Sequence, residues 1–211
     1  MTRQELRAWI GGRLDPIEGY DPANPSRRIG DFEGLLPADT LIRPAAVLVP
    51  LVEHEAGLTV LLTRRADALR NHSGQVAFPG GRCDPGELPW QTALREAEEE
   101  IGLDPAHVTL AGLSSIYRTG TGFDIMPVIG FVEPGFDLVA NPEEVADIFE
   151  TPFGFLMDPG NHEQRVWRQT DGRTRHYYAM TYEDREIWGA TAGMLRELYE
   201  RLYGAPPTAE G

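Results

Sequence analysis

The sequence predicts an α+β fold in which a mixed sheet lies between helices. Three observations support it. β-rich apolar runs recur through most of the chain, short turn signals separate them, and only two stretches have the period and length of long helices.

Taken in order, Thr2 to Leu14 reads as a short helix with Leu6, Trp9 and Ile10 on one face. Asp15 to Pro44 is turn-rich, with four prolines between Pro16 and Pro37, and reads as an irregular arm. Its Arg27 and Arg28 read as surface charge. The main domain starts near Arg43. Ala45–Val52 and Leu58–Thr63 are strands joined by a polar turn at Glu53–Gly57, a hairpin signal. Pro89 to Ile101 is the first long helix. Val108–Tyr117 and Phe123–Val132 read as two strands around Thr119–Gly122. Val145–Phe149 is a short strand, and Phe153–Leu156 one helical turn. Glu163–Thr170 and Arg173–Tyr182 flank Asp171-Gly172, a strong two-residue turn signal. Gly189–Tyr203 is the second long helix, with Trp188 read as core. The chain thus divides into a helix and arm at 1–42, one domain at 43–204 and a short flexible tail at 205–211.

Composition narrows the function. The formal net charge of −14 over 211 residues argues against a nucleic-acid surface, which is normally basic. One cysteine, Cys83, cannot form an internal disulfide and suggests a reducing compartment; it reads as incidental. The charged opening MTRQELRAWIGGRL is no signal peptide, and no apolar run approaches membrane-span length. The expected protein is cytoplasmic, with no nucleic-acid or membrane partner.

One stretch organises the rest: Gly81 to Leu103, GRCDPGELPWQTALREAEEEIGL. Pro89 suits the first helical position and Gly102 the residue just past the end. At about 100° per residue, Trp90, Leu94, Ala97 and Ile101 form an apolar stripe. Glu96, Glu99 and Glu100 fall together on the opposite side, while Glu98 points away. Three clustered carboxylates repel one another, and the last turn is the negative end of the helix dipole. Arg95, reaching Glu98 or Glu99, offsets little of this. Such a local conflict is either a solvated acidic face or a site for a divalent cation that prefers oxygen ligands.

The spacing favours the cation. Gly81, Glu87, Arg95-Glu96, Ala97, Glu99-Glu100, Gly102 and Leu103 match G-x5-E-x7-R-E-U-x-E-E-x-G-U at every position. Average residue usage makes a chance match on the order of one in ten million. The stretch resembles the box of the Nudix hydrolases, which cleave a nucleoside diphosphate linked to another moiety. That resemblance implies an α/β/α sandwich, a loop–helix–loop Mg²⁺ or Mn²⁺ site, and a Nudix domain over 43–204.

Upstream stands LLTRRADALRNHSGQVAFPGG, Leu61 to Gly81, an arginine-bearing loop in an otherwise acidic chain. Guanidinium groups bind phosphate bidentately, so Arg64, Arg65 and Arg70 suit phosphate contacts. The alternative is a solvated basic loop. L-L-T-x-R-A-x3-R-x3-G-x3-F-P-G-G, matched from Leu61 to Gly81, is similar to the signature of the coenzyme A pyrophosphatase branch of that family. The resemblance implies a small-molecule nucleotide substrate, coenzyme A or a derivative, split at its diphosphate to 3′,5′-ADP and 4′-phosphopantetheine. It also implies Glu96 and Glu100 as principal metal ligands with Glu99 close behind, and a carbonyl from Gly81. Arg64, Arg65, Arg70, His72, Gly80 and Gly81 would line the substrate site, and Glu87 and Arg95 would hold the loop against the helix. The base that activates water stays open among Glu99, Glu143, Glu144 and Asp124. His54, His107, His162 and His176 read as surface or packing residues. Tyr117, Phe123 and Tyr178 read as core aromatics or as stacking partners for adenine. Two other functions remain: hydrolysis of another nucleoside diphosphate derivative such as NADH or ADP-ribose, or a nucleotide sensor without catalysis. A homodimer is left open.

Overall fold

A computed structural model describes residues 2–24, 27–30, 36–37, 39–67, 74–168 and 174–204. The first helix, α1 (Arg3–Gly11), starts at Thr2, whose hydroxyl accepts the Glu5 N–H at 3.2 Å while the Glu5 carboxylate accepts the Thr2 N–H at 2.8 Å. Ile10 is buried, and Leu6 and Trp9 pack on the same core. Two described parts of the arm join the rest of the fold. Asp15 bridges Leu113, and a two-residue strand, β1 (Arg28–Ile29), joins the sheet.

β2 (Arg43–His54) is the spine of that sheet. It is apolar without alternation because both of its faces are covered. On one side it meets two strands in succession: β3 (Gly57–Arg65) from Leu51 onward, and β5 (Gly80–Arg82) over Ala45–Val47. Between β3 and β5 lies β4 (Val76–Ala77), paired with β3. In the gap where β2 passes from β5 to β3, the Leu48 N–H bonds the Pro79 carbonyl at 2.9 Å. Pro50, two residues on, falls in that gap, so its missing N–H costs no ladder bond.

The helix α2 (Pro89–Ile101) follows, then β6 (Val108–Leu113), β7 (Ile116–Arg118) and β8 (Phe123–Val132). The expected single strand from Val108 to Tyr117 is broken at Ser114-Ser115, and both parts pair antiparallel with β8. β8 runs parallel to β2, from Arg43↔Phe123 to Val52↔Val132, and β1 parallel to β7. β9 (Val145–Pro152) is longer than expected and borders β3; α3 (Phe153–Leu156) is the anticipated helical turn.

A separate antiparallel sheet holds β10 (Glu163–Arg168), β11 (Thr174–Tyr182) and β12 (Arg185–Trp188), the last unanticipated, before α4 (Ala190–Tyr203). The Asp171-Gly172 turn and the tail at 205–211 lie outside the described residues. Alternate residues of β2 feed two cores. Ala46, Leu48 and Val52 face α2, and Val47, Val49 and Leu51 face the side carrying α1 and α4. The result is the mixed sheet between helical layers that the sequence predicts.

A polar clasp ties the arm to the last helix. Arg201 of α4 holds Asp15 at 2.9 and 3.2 Å and donates to Ser115 Oγ at 3.1 Å; Ser115 in turn donates to the buried Glu197 at 2.7 Å.

Of the two roles open to His162, surface or packing, it takes the second. It is buried, its Nε2 lies 2.7 Å from the Leu156 carbonyl, and its ring stands edge-on to Tyr199. Burial pushes its pKa below the usual imidazole value, and Nδ1 is buried with no partner among the described residues. The unfolded chain therefore binds this proton more readily than the folded one, so stability is full above about pH 6.5 and falls as pH drops below it. His162→Gln is expected to flatten the slope of Tm against pH between about 7 and 5. An unchanged slope in thermal melts would show that the imidazole charges without cost.

Candidate active site

The centre of the site is α2 and the strand laid against it. Pro89 takes the first helical position, and the Gln91 side chain accepts the Leu88 N–H at 2.9 Å. Gly102 ends the helix in the left-handed conformation, φ 69°. Just before the helix, Glu87 accepts four hydrogen bonds: Asp84 N–H at 3.0 Å, Thr92 Oγ1 at 2.7 Å, and Arg95 Nε and Nη2 at 2.9 and 3.0 Å. The Arg95 guanidinium holds the Glu87 carboxyl down to about pKa 2. Arg95 also reaches the Arg82 carbonyl, Glu96 at 2.8 Å and Glu99 at 3.1 Å. One guanidinium thus joins loop, strand and helix. The sequence reading passes over Thr92, a buried hydroxyl five residues after Glu87.

Two details of the helix differ from expectation. The buried stripe is Ala93, Ala97 and Ile101 with Thr92, while Trp90 and Leu94 are half-buried. The three glutamates also do not share one solvated face. Glu99 is exposed, Glu96 half-buried and Glu100 only 3% exposed. The cause is β5, which covers the acidic side of the helix. Gly80 N–H donates to Glu100 at 3.2 Å, and a Cβ at Gly81 would lie 2.4 Å from the Glu96 carboxyl carbon.

Burial, against that one N–H, raises the Glu100 carboxyl to about pKa 7, with Glu144 and Glu96 pushing the same way and Arg65 opposing. Burial also raises Glu96, beside Glu99 and Glu144. Among the described residues no three carboxylate, imidazole or thiol groups converge closely enough to enclose an ion. The donor set nevertheless fits a hard divalent cation. It offers only oxygen, and its buried carboxylate is held by a single N–H and repelled by its neighbours.

Of the candidate bases, Glu144 is the one whose charge acts on both Glu96 and Glu100. Its carbonyl also accepts the Ala66 N–H at 2.9 Å, which fixes it beside the arginine loop. Glu143 is exposed. Asp124 is engaged elsewhere: it takes two bonds from Arg118 at 2.7 and 2.8 Å and one from Arg28 at 3.2 Å. Arg28 is therefore a clamp on the arm as well as a surface charge. Arg64 pairs with Asp67 at 2.8 Å, and Arg65 has its Nε buried with no acceptor among the described residues. Arg70 and His72 lie outside the described residues. Tyr117 is core, Phe123 lies under the Arg43 guanidinium and Tyr178 under that of Arg196. Cys83 is half-buried and burial raises its thiol pKa.

The family model described as NUDIX domain matches residues 42–171. The "Uncharacterized Nudix hydrolase NudL" of Yersinia pestis (strain Pestoides F) is 39% identical over 162 residues, covering 76% of this chain and 80% of the relative; that of Yersinia pseudotuberculosis serotype O:1b (strain IP 31758) matches equally. Among solved structures, the M. smegmatis Nudix hydrolase RenU is 26% identical with a TM-score of 0.46, over 53% of this chain and 71% of that one. A C. elegans Ap4A hydrolase is 21% identical, also at 0.46, over 52% and 80%.

Proposed function

The chain belongs to the Nudix hydrolases, which act on phosphorus anhydrides, and from that premise we propose that it splits the diphosphate of coenzyme A or a derivative. The products are 3′,5′-ADP and 4′-phosphopantetheine, or its acyl form. The observation that carries this reading is the Arg65 guanidinium of the coenzyme A-type motif. Its Nε is buried with no acceptor among the described residues, and its charge acts on Glu100, the most buried glutamate of the box.

In this reading Glu96 and Glu100 hold Mg²⁺ or Mn²⁺, with Glu99 and the Gly81 carbonyl completing the set. When bound, such a cation neutralises the diphosphate and lowers the pKa of a coordinated water. Arg65, Arg64 and Arg70 donate to phosphate oxygens, with His72 of the same motif as a further contact. Glu144 takes the proton as the water oxygen bonds phosphorus and the bridging P–O bond breaks. Arg95 touches no substrate; it fixes Glu87, Glu96 and Glu99 relative to one another.

The test is a panel of coenzyme A, dephospho-coenzyme A, NADH and ADP-ribose with Mg²⁺ and with Mn²⁺, products resolved by mass. Coenzyme A is expected to give the highest kcat/KM. Arg65→Ala is expected to lower that value roughly ten- to a hundredfold, the cost of one hydrogen bond to a charged group. Preference for NADH or ADP-ribose would assign the chain to another substrate class of the same family.

The described residues hold no helix long and apolar enough to cross a membrane.

A further inference from the structure

The small sheet ends in an open edge. β10 pairs with β11 from Glu163↔Ala179 to Arg168↔Thr174, and among the described strands none borders its other side. Folded proteins usually interrupt such an edge with proline, a bulge or a covering element. Here no proline occurs in Glu163–Arg168, the pairing with β11 has no register shift, and every side chain but Arg165 is exposed.

Large apolar side chains nevertheless stand where water reaches them, among the charged Glu163, Arg165 and Arg168. Val166 is 52% exposed, Trp167 56% and Trp188 40%. Trp188 is therefore not the core residue its sequence suggests. The register puts Trp167, Tyr177 and Trp188 on the sheet face opposite the buried Met180 and Ile187, with the Tyr177 and Trp188 rings 6.0 Å apart. Val166 lies on the other face. A cluster of this kind on one sheet face marks an interaction surface more often than isolated apolar residues do.

The sequence of β10 says which partner fits. A two-fold axis perpendicular to a sheet keeps each face on its own side, so an antiparallel copy must set odd residues opposite odd and even opposite even. Centring the axis on Arg165 opposes two guanidinium groups. Centring it on Gln164 matches Glu163 with Arg165 but pairs only three residues within the strand and leaves Trp167 beyond it. Centring it on Val166 pairs five. Val166 then meets Val166, Gln164 meets Arg168, and each Arg165 meets the partner's Trp167. The Arg165 guanidinium is already held on that face by Glu163 and Glu186, so the indole meets a fixed cation.

We propose that a second copy of this chain docks on β10. The two strands pair antiparallel about Val166 and join two three-stranded sheets into one of six strands.

Sedimentation of the full chain at micromolar concentration is expected to show a dimer. Val166→Asp sets two carboxylates against each other at the axis and is expected to weaken the dimer at least about tenfold. A register test runs beside it in a Cys83→Ser background, which removes the chain's one native thiol. Val166→Cys should oxidise to a disulfide-linked dimer, because the two Cα atoms of a directly opposed pair lie within disulfide reach. Gln164→Cys, displaced from its own copy by four residues, should not. A wild-type monomer at every concentration overturns the proposal. So does a dimer unaffected by Val166→Asp, or equal linkage of the two cysteine variants.

Discussion

Glu100→Gln is expected to lower kcat by about two to three orders of magnitude and, in the same protein, to raise the Tm measured in chelator. The two effects share one cause. Glu100 is a buried carboxyl raised to about pKa 7 from an ordinary 4.5. The folded state holds its proton to higher pH than the unfolded state. Without metal, the stability present below about pH 4.5 is therefore lost as pH rises through about 7, by up to about 3 kcal/mol. Gln keeps the oxygen that accepts the Gly80 N–H and carries no charge, so this loss disappears. The variant should melt above wild type at pH 8 and level with it near pH 4. Mg²⁺ at a hundred times its Kd should add about 2.7 kcal/mol to wild type and little to the variant. Glu98→Gln, on the exposed side, is the control and should change neither property. A Glu100→Gln enzyme as active as wild type would remove this carboxylate from the metal set.

The second large effect separates two adjacent glycines. A Cβ at Gly80 would stand 2.4 Å from the Ala46 carbonyl oxygen and 2.6 Å from the Val47 Cα, both backbone atoms of the central strand. Nothing there can swing aside. Gly80→Ala is expected to cost about 3 kcal/mol, or about 6–12 °C in Tm for a chain of this size. A Cβ at Gly81 would instead meet the Glu96 carboxylate at 2.4–2.5 Å, the end of a flexible side chain. Gly81→Ala should keep most of its Tm while losing about a hundredfold in kcat/KM, because a ligand displaced by about 1 Å no longer holds its geometry. Its Mn²⁺ affinity should fall in parallel. Equal melting points for the two variants would mean that β5 does not lie on β2 and α2 in this register.

What the sequence reveals here depends on how local the cause is. The limits of α2 are legible because Pro89 and Gly102 act on their own backbone. The Glu87–Arg95 pair is legible through the box, in which the motif places both residues beside the loop. The burial of Glu100 is not, since helical periodicity puts it with Glu96 and Glu99, and only β5, held over the helix by its pairing with the distant β2, covers it. β1 is two residues long and exists because β7 is there to pair with it. β7 in turn is separated from β6 by Ser114-Ser115, inside a run that reads as one strand. Trp188 misleads for a similar reason: its neighbour Ile187 is buried, and alternation along β12 turns the indole outward. Residue types and spacing identify the site's members, and long-range pairing decides which of them water reaches.

The clasp among Asp15, Ser115, Glu197 and Arg201 bears on the order in which the chain folds. Its members come from the beginning, middle and end of the sequence; Asp15 and Arg201 are 186 residues apart. During synthesis the arm leaves the ribosome long before its partner exists. Asp15 can bridge Leu113 once the sheet has formed, but its carboxylate waits for the last helix. Contacts of such sequence separation slow folding, because loop closure must precede any gain from them. A nascent chain arrested before Arg201 therefore carries β5 and α2 complete, and its N-terminal layer is expected to be open to proteases. Digestion of ribosome-bound chains of increasing length should show cleavage between Asp15 and Arg28 until Arg201 emerges, and protection afterwards.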